Sequence, residues 1–129
     1  MYAVQFDPKE LVIHVRLRIW GPARDSDLLF VFDTGTKRTV VDTAAIDALG
    51  YGASMGNALT TLTGVDGKQQ GYRLKVDRFD ALGMSLEGFN VFCHDFDETL
   101  GIDGLIGMDF IAGRVVTIDN VLGLLKVES

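Results

Sequence analysis

LLFVFDTGTKRTVV, residues 28–41, is the stretch whose reading decides the fold. Five apolar residues run straight into Asp33. Thr34, Gly35 and Thr36 follow, and apolar character resumes at Val40 and Val41. A short apolar run bounded by turn residues reads as a buried strand. An aspartate facing solvent in a loop needs no such delivery; a carboxylate held at the edge of a core does. Gly35 lets the backbone turn sharply beside it.

Working outward, residues 10–20 (ELVIHVRLRIW) alternate. Leu11, Ile13, Val15, Leu17 and Ile19 share one face, and Val12, His14, Arg16, Arg18 and Trp20 the other. That period of two predicts a half-buried strand. Arg16 and Arg18 read as a solvated face, with His14 as a surface histidine beside them. The turn-rich GPARDSD joins this strand to residues 28–32 as a hairpin. Residues 2–6 predict an earlier short strand, stopped by Asp7-Pro8. Residues 42–49 predict a short helix, capped by Asp42 or Thr43 and ended by Gly50. Residues 58–63 and 68–79 flank Gly64-Val65-Asp66-Gly67, and Asp-Gly between two β-prone runs marks a hairpin. Residues 86–93 predict a further strand, with a bulge at Gly88. An acidic loop covers residues 94–103, and residues 108–112 predict one helical turn. Residues 114–119 and 124–128 predict a last hairpin. Many short strands with frequent turns predict an all-β chain with one or two short helices.

At 129 residues the expectation is a single domain, residues 1–129. A net charge of −6 argues against nucleic acid or an anionic membrane as partner. No apolar run is long enough to span a bilayer and no leader core opens the chain, so the expected setting is cytoplasmic. Cys93 is the one cysteine, which excludes an intrachain disulfide, and it reads as a small buried hydrophobe.

Chemistry must come from what remains. Serine catalysis has only His14 and His94 as bases, and no Gly-x-Ser-x-Gly elbow is present. One cysteine and two histidines are too few for a zinc centre, and His94, Asp95 and Asp97 read as a polar loop; the expectation is no metal and no cofactor. Residues 64–71 are glycine-rich but lack the ending of a phosphate loop. Carboxylate chemistry is left, and it returns the reading to Asp33.

Here the sequence resembles a family. Asp33-Thr34-Gly35-Thr36 after an apolar strand is similar to the active-site motif of aspartic proteases. Leu105-Ile106-Gly107 is similar to the hydrophobic-hydrophobic-Gly motif of the retropepsin-like, single-lobe members. The run GLIGMDFI, followed by two strands, resembles bacterial members of that group. The resemblance spans residues 10–128. It implies a closed, barrel-like acid-protease fold of one lobe, functional as a two-fold dimer. It implies a homodimeric aspartic endopeptidase acting on a peptide or protein substrate, with Asp33 as catalytic acid and base. Thr34 would then brace the dimer axis, Gly35 allow the tight turn, and Thr36 reach the outer oxygen of Asp33. Thr63, Gly64, Val65, Asp66 and Gly67 would form the flap over the substrate. The chain supplies one such aspartate, so a second must come from another copy. Asp109 reads as a cap or surface carboxylate. The flap departs from the family's pattern: Val65-Asp66 replaces an all-glycine tip, and Tyr72 lies beyond the turn. A peptide-binding or dimerisation module without turnover is the alternative expectation.

Overall fold

The computed structural model describes residues 1–56, 59–64 and 67–129, with residues 53, 59–64 and 67–70 described through their backbone. Its strands are β1 (Tyr2–Gln5), β2 (His14–Trp20), β3 (Asp25–Phe32), β4 (Val40–Asp42), β5 (Leu59–Gly64), β6 (Gly67–Ala81), β7 (Met84–His94), β8 (Gly104–Ile106), β9 (Val115–Asp119) and β10 (Leu124–Glu128). Helix α1 (Thr43–Ala48) follows β4, and α2 (Met108–Ile111) follows β8.

Alternation is what places β2. Val15, Leu17 and Ile19 are buried while Arg16 is exposed, so every second residue enters the core. The predicted strand is shortened at its start. Residues 10–13 form a bend and its exit, and Leu11 is 100% exposed. The Asp7-Pro8 turn redirects the chain there: Asp7 accepts the amides of Lys9 at 2.9 Å and Glu10 at 3.1 Å. β3 is lengthened instead, starting at Asp25. Asp25 and Asp27, expected in a turn, lie opposite Trp20 and Arg18 in the β2–β3 ladder. Both carboxylates pair with the Arg18 guanidinium, Asp27 at 2.8 Å.

Among the described residues, six strands close a barrel in the order β2-β3-β8-β4-β7-β6, and β6 pairs back onto β2 through Trp20 and Arg78. The Arg78 guanidinium lies 4.5 Å from the centre of the Trp20 ring at this seam, a cation–π contact, and also pairs with Asp80. β5 continues the sheet outward from β6. β1, β10 and β9 form a separate antiparallel sheet, in that order. The expected all-β barrel with two short helices is what the chain adopts. None of the described helices is long and apolar enough to cross a membrane.

Phe30, Phe79 and Phe110 in the core and the partly buried Phe89 form a cluster of edge-to-face and tilted contacts, with neighbouring ring centres 5.2–6.0 Å apart. Cys93 is fully buried, and burial pushes its thiol up to about 12. The β6–β7 hairpin turns on Leu82-Gly83, both at positive φ, as a tight hairpin requires. Gly88 is not a two-against-one bulge. The register is the same on both sides of it, Val76 facing Phe89 and Arg78 facing Glu87. It interrupts the ladder opposite Asp77, whose amide donates to the Tyr51 hydroxyl at 2.8 Å. Asp42 stands at the N-cap of α1, but its carboxylate accepts the Phe96 amide at 3.1 Å rather than capping the helix.

Candidate active site

β3 carries Asp33 to the barrel's end, and β8 fixes it there. The two strands pair in parallel, Phe32 beside Ile106, and the Asp33 amide donates to the Ile106 carbonyl at 3.0 Å. The DTGT and LIG motifs are therefore direct neighbours. Gly104 and Gly107 permit this. A Cβ on Gly104 would lie 2.3 Å from the Val40 carbonyl oxygen, and one on Gly107 would lie 2.5 Å from that of Arg38. Ile106 is fully buried and Leu105 half-buried between them.

The turn after Asp33 holds its carboxylate from the inside. The Gly35 amide donates to Asp33 Oδ1 at 2.8 Å, fixing the carboxylate's orientation within the turn. A Cβ at Gly35 would stand 3.0 Å from the same oxygen, so the close approach needs glycine. Thr34 and Gly35 are exposed at the tip. The Thr36 hydroxyl was expected on the outer oxygen of Asp33. It donates to the Arg38 carbonyl at 3.1 Å, closing the far side of the turn instead.

Two further residues anchor the turn, and the sequence reading missed both roles. Asp109 is a half-buried clamp rather than a cap or surface carboxylate. It accepts the Thr39 amide at 2.9 and 3.0 Å and the Thr39 hydroxyl at 2.8 Å. That hydroxyl, on a fully buried residue, in turn accepts the Gly107 amide at 3.1 Å. The amides of Met108 and Asp109 donate to the carbonyls of Thr36 and Lys37. The start of α2 is thus bolted to the DTGT turn. The available signals were a threonine opening the apolar run Thr39-Val40-Val41 and an acid two residues past Gly107. Asp103 plays a similar part under β3, accepting the Leu29 amide at 2.9 Å.

A cavity of about 630 Å³ opens beside Asp33. Leu11, Val12, Ile13, Val31, Phe32 and Ile118 give it apolar walls, with Glu10 and Asn120 among its polar residues. Glu10 pairs with His14 Nδ1 at 3.0 Å. Of the expected flap, Thr63 faces Lys68 and Gly64 faces Gly67 across the β5–β6 hairpin. Val65 and Asp66 lie outside the described residues. Among the described residues no group of three or more His, Cys, Asp or Glu side chains is arranged to hold a metal ion. In the acidic loop, Asp97 accepts the amide and hydroxyl of Thr99, each at 2.9 Å.

A half-buried aspartate in a glycine turn, locked beside a hydrophobic-Gly strand at the end of a closed barrel, defines a single lobe of an acid-protease fold. Residues 15–110 match the family described as Aspartyl protease, and the chain belongs to that family. The retropepsin-like aspartic protease from Rickettsia conorii superposes with a TM-score of 0.69 at 13% identity, covering 98% of this chain and 93% of that one. The retroviral protease-like domain of Ddi1 from Leishmania major gives 0.59 at 17% identity, covering 86% and 83%. The EIAV protease, solved with the inhibitor HBY-793, gives 0.56 at 18% identity, covering 84% and 91%. The chain is thus retropepsin-like in fold. None of the curated proteins compared by sequence matches it significantly.

Proposed function

We propose that this chain is a homodimeric aspartic endopeptidase, acting as one domain per subunit, with Asp33 of two copies forming the catalytic pair. The observation that carries the reading is the Asp33 turn. One carboxylate, held by the Gly35 amide, stands beside a mostly apolar cavity in a chain of the aspartyl protease family. The chain has no second Asp-Thr-Gly turn.

Brought together about a two-fold axis, two such carboxylates cannot both ionise cheaply, so they share one proton and titrate as a pair. The charged member takes a proton from a water held between them, and the protonated member donates to the scissile carbonyl. Water adds to the carbonyl carbon, and the C–N bond breaks as the nitrogen takes up a proton. Thr34, exposed at the turn tip, would meet its copy across the axis. Thr36 would act through the turn's far side, given its bond to Arg38. Thr63, Gly64, Val65, Asp66 and Gly67 would cover an extended peptide that adds as a strand, excluding water from the pair. Leu105, Ile106 and Gly107 would hold the floor of the site. A cytoplasmic setting is part of the same proposal.

The test is cleavage of a mixed peptide library from acidic to neutral pH by the purified chain and by Asp33→Asn. The expected loss is about 10³-fold or more, the scale of removing an acid–base group. Dimers that bind peptide with no turnover in either protein would favour the module without catalysis.

A further inference from the structure

β2 is paired along the whole of one edge and along only part of the other. β3 faces it from His14 to Trp20, whereas among the described residues β6 faces it only from Arg18 to Trp20. The main chain of His14 and Arg16 looks toward the open side. Ile13, just before the strand, accepts the Phe32 amide at 2.9 Å. Pairing in an antiparallel ladder alternates, so the odd-numbered residues of β2 bond to β3 and the even-numbered ones point away. Leu29, opposite Arg16, agrees with this: its amide and carbonyl both turn to Asp103 on the far side.

A cavity of about 380 Å³ lies along this open edge. Tyr2 of β1, Leu17 of β2, and Leu82 and Met84 at the β6–β7 turn give it apolar walls. It shares no lining residue with the cavity beside Asp33. Arg16 faces Leu29, four residues before Asp33, which is about 13 Å along the strand. Arg16, Arg18, Asp27 and Asp80 are the charged residues that line it. Arg18 pairs with Asp27, and Asp80 with Arg78. Arg16 is exposed, and among the described residues its guanidinium has no ion-pair partner. The uncompensated charge of this cavity is therefore one guanidinium.

We propose that this cavity is a peptide-binding site separate from the Asp33 cavity, taking an extended acidic segment of a partner protein as an added strand on the open edge of β2. The free amide and carbonyl of Arg16 supply the main-chain bonds, and side chains alternate between two faces of the incoming strand. One set meets the apolar walls at Leu82 and Met84, and the other brings a carboxylate to the Arg16 guanidinium. A charge on an open edge repels a strand of its own sign. Arg16 and Arg18 thus deter a second copy of β2 and admit a strand of opposite charge. The site lies wholly within one chain, and binding there does not depend on the catalytic reading.

The test uses the full chain carrying Asp33→Asn, so that bound peptide is not cut. It is titrated with fluorescein-labelled Val-Glu-Val-Glu-Val and Val-Lys-Val-Lys-Val, and binding is read by fluorescence anisotropy. The acidic peptide should bind about tenfold more tightly than the basic one. Adding Arg16→Glu should reverse that order with the far-UV circular dichroism unchanged. Methylating the backbone amides of the acidic peptide should weaken it about tenfold, because it removes the strand's donors. Acidic peptide held equally well after Arg16→Glu would place it elsewhere, in the Asp33 cavity for instance, and would overturn the site. Equal affinity for the two peptides, or no binding of either at millimolar concentration, would overturn it too. An unchanged affinity of the methylated peptide would rule out strand addition, and the proposal with it.

Discussion

At the level of single residues, most of the site is written locally and part of it is not. Asp33, Gly35 and Gly107 announce themselves, because each sits in a short motif whose chemistry can be read from adjacent residues. The Thr39–Asp109 clamp does not. Its partners stand 70 residues apart, and nothing near Asp109 says which amide its carboxylate accepts. Tyr72 is a different case. Its hydroxyl is buried without a nitrogen or oxygen partner, facing the Cys93 thiol on the opposite strand. Burial pushes both groups up to about 12. Each has a folded value above its unfolded one, so the stability it contributes is complete below about pH 9 and is lost as pH rises toward about 12. Tyr72→Phe removes a hydroxyl that gains little, and its stability at neutral pH should stay within about 1 kcal/mol of wild type. Its loss of stability above pH 10 should be shallower. Urea unfolding at pH 7 and across the alkaline range measures both. A large loss at pH 7 would mean that the hydroxyl has a strong partner.

Elements show how far periodicity reaches. Alternation through Ile19 locates β2, yet it also counts Leu11 and Ile13, which precede the strand. A strand needs a partner as well as a pattern, and the β2–β3 ladder begins only at His14, beyond the Asp7-Pro8 turn and residues 10–12. Conversely, Asp25 and Asp27 look like turn residues but extend β3, where the Arg18 guanidinium across the ladder pairs with both. The threading of β8 between β3 and β4 was visible only as a family resemblance. Its physical cause is that Gly104 and Gly107 leave room for two crossing backbones. The clamp bolts this crossing shut. Asp109→Ala should therefore cost about 3 kcal/mol, since it strips a charged acceptor from a buried amide and hydroxyl. Thr39→Val keeps the shape and loses only the hydroxyl, so about 1–2 kcal/mol is expected. Denaturant titration of both variants and the double mutant checks the coupling. Additive losses would show that the two residues do not act as one unit.

For the whole molecule, the sequence shows the count of strands better than their closure. The β2–β6 seam joins segments far apart in the chain, and only packing decides that Trp20 meets Arg78. The same distance separates fold from activity, because one chain holds only one Asp-Thr-Gly turn. If the working unit is a pair of copies, activity must follow dimer concentration, not chain concentration. Subunit mixing turns this into a number. When wild type is equilibrated with an equal amount of Asp33→Asn, random exchange leaves about a quarter of all dimers fully wild type. Activity should fall to about half that of the same wild-type chain alone, and further as Asp33→Asn is added in excess. A mutant that binds its copies without supplying a carboxylate thus acts as an inhibitor. Steady-state cleavage rates across the mixing series read this directly. A rate that stays at the wild-type value at every ratio would mean that each chain works alone, and that the second carboxylate lies within the same subunit.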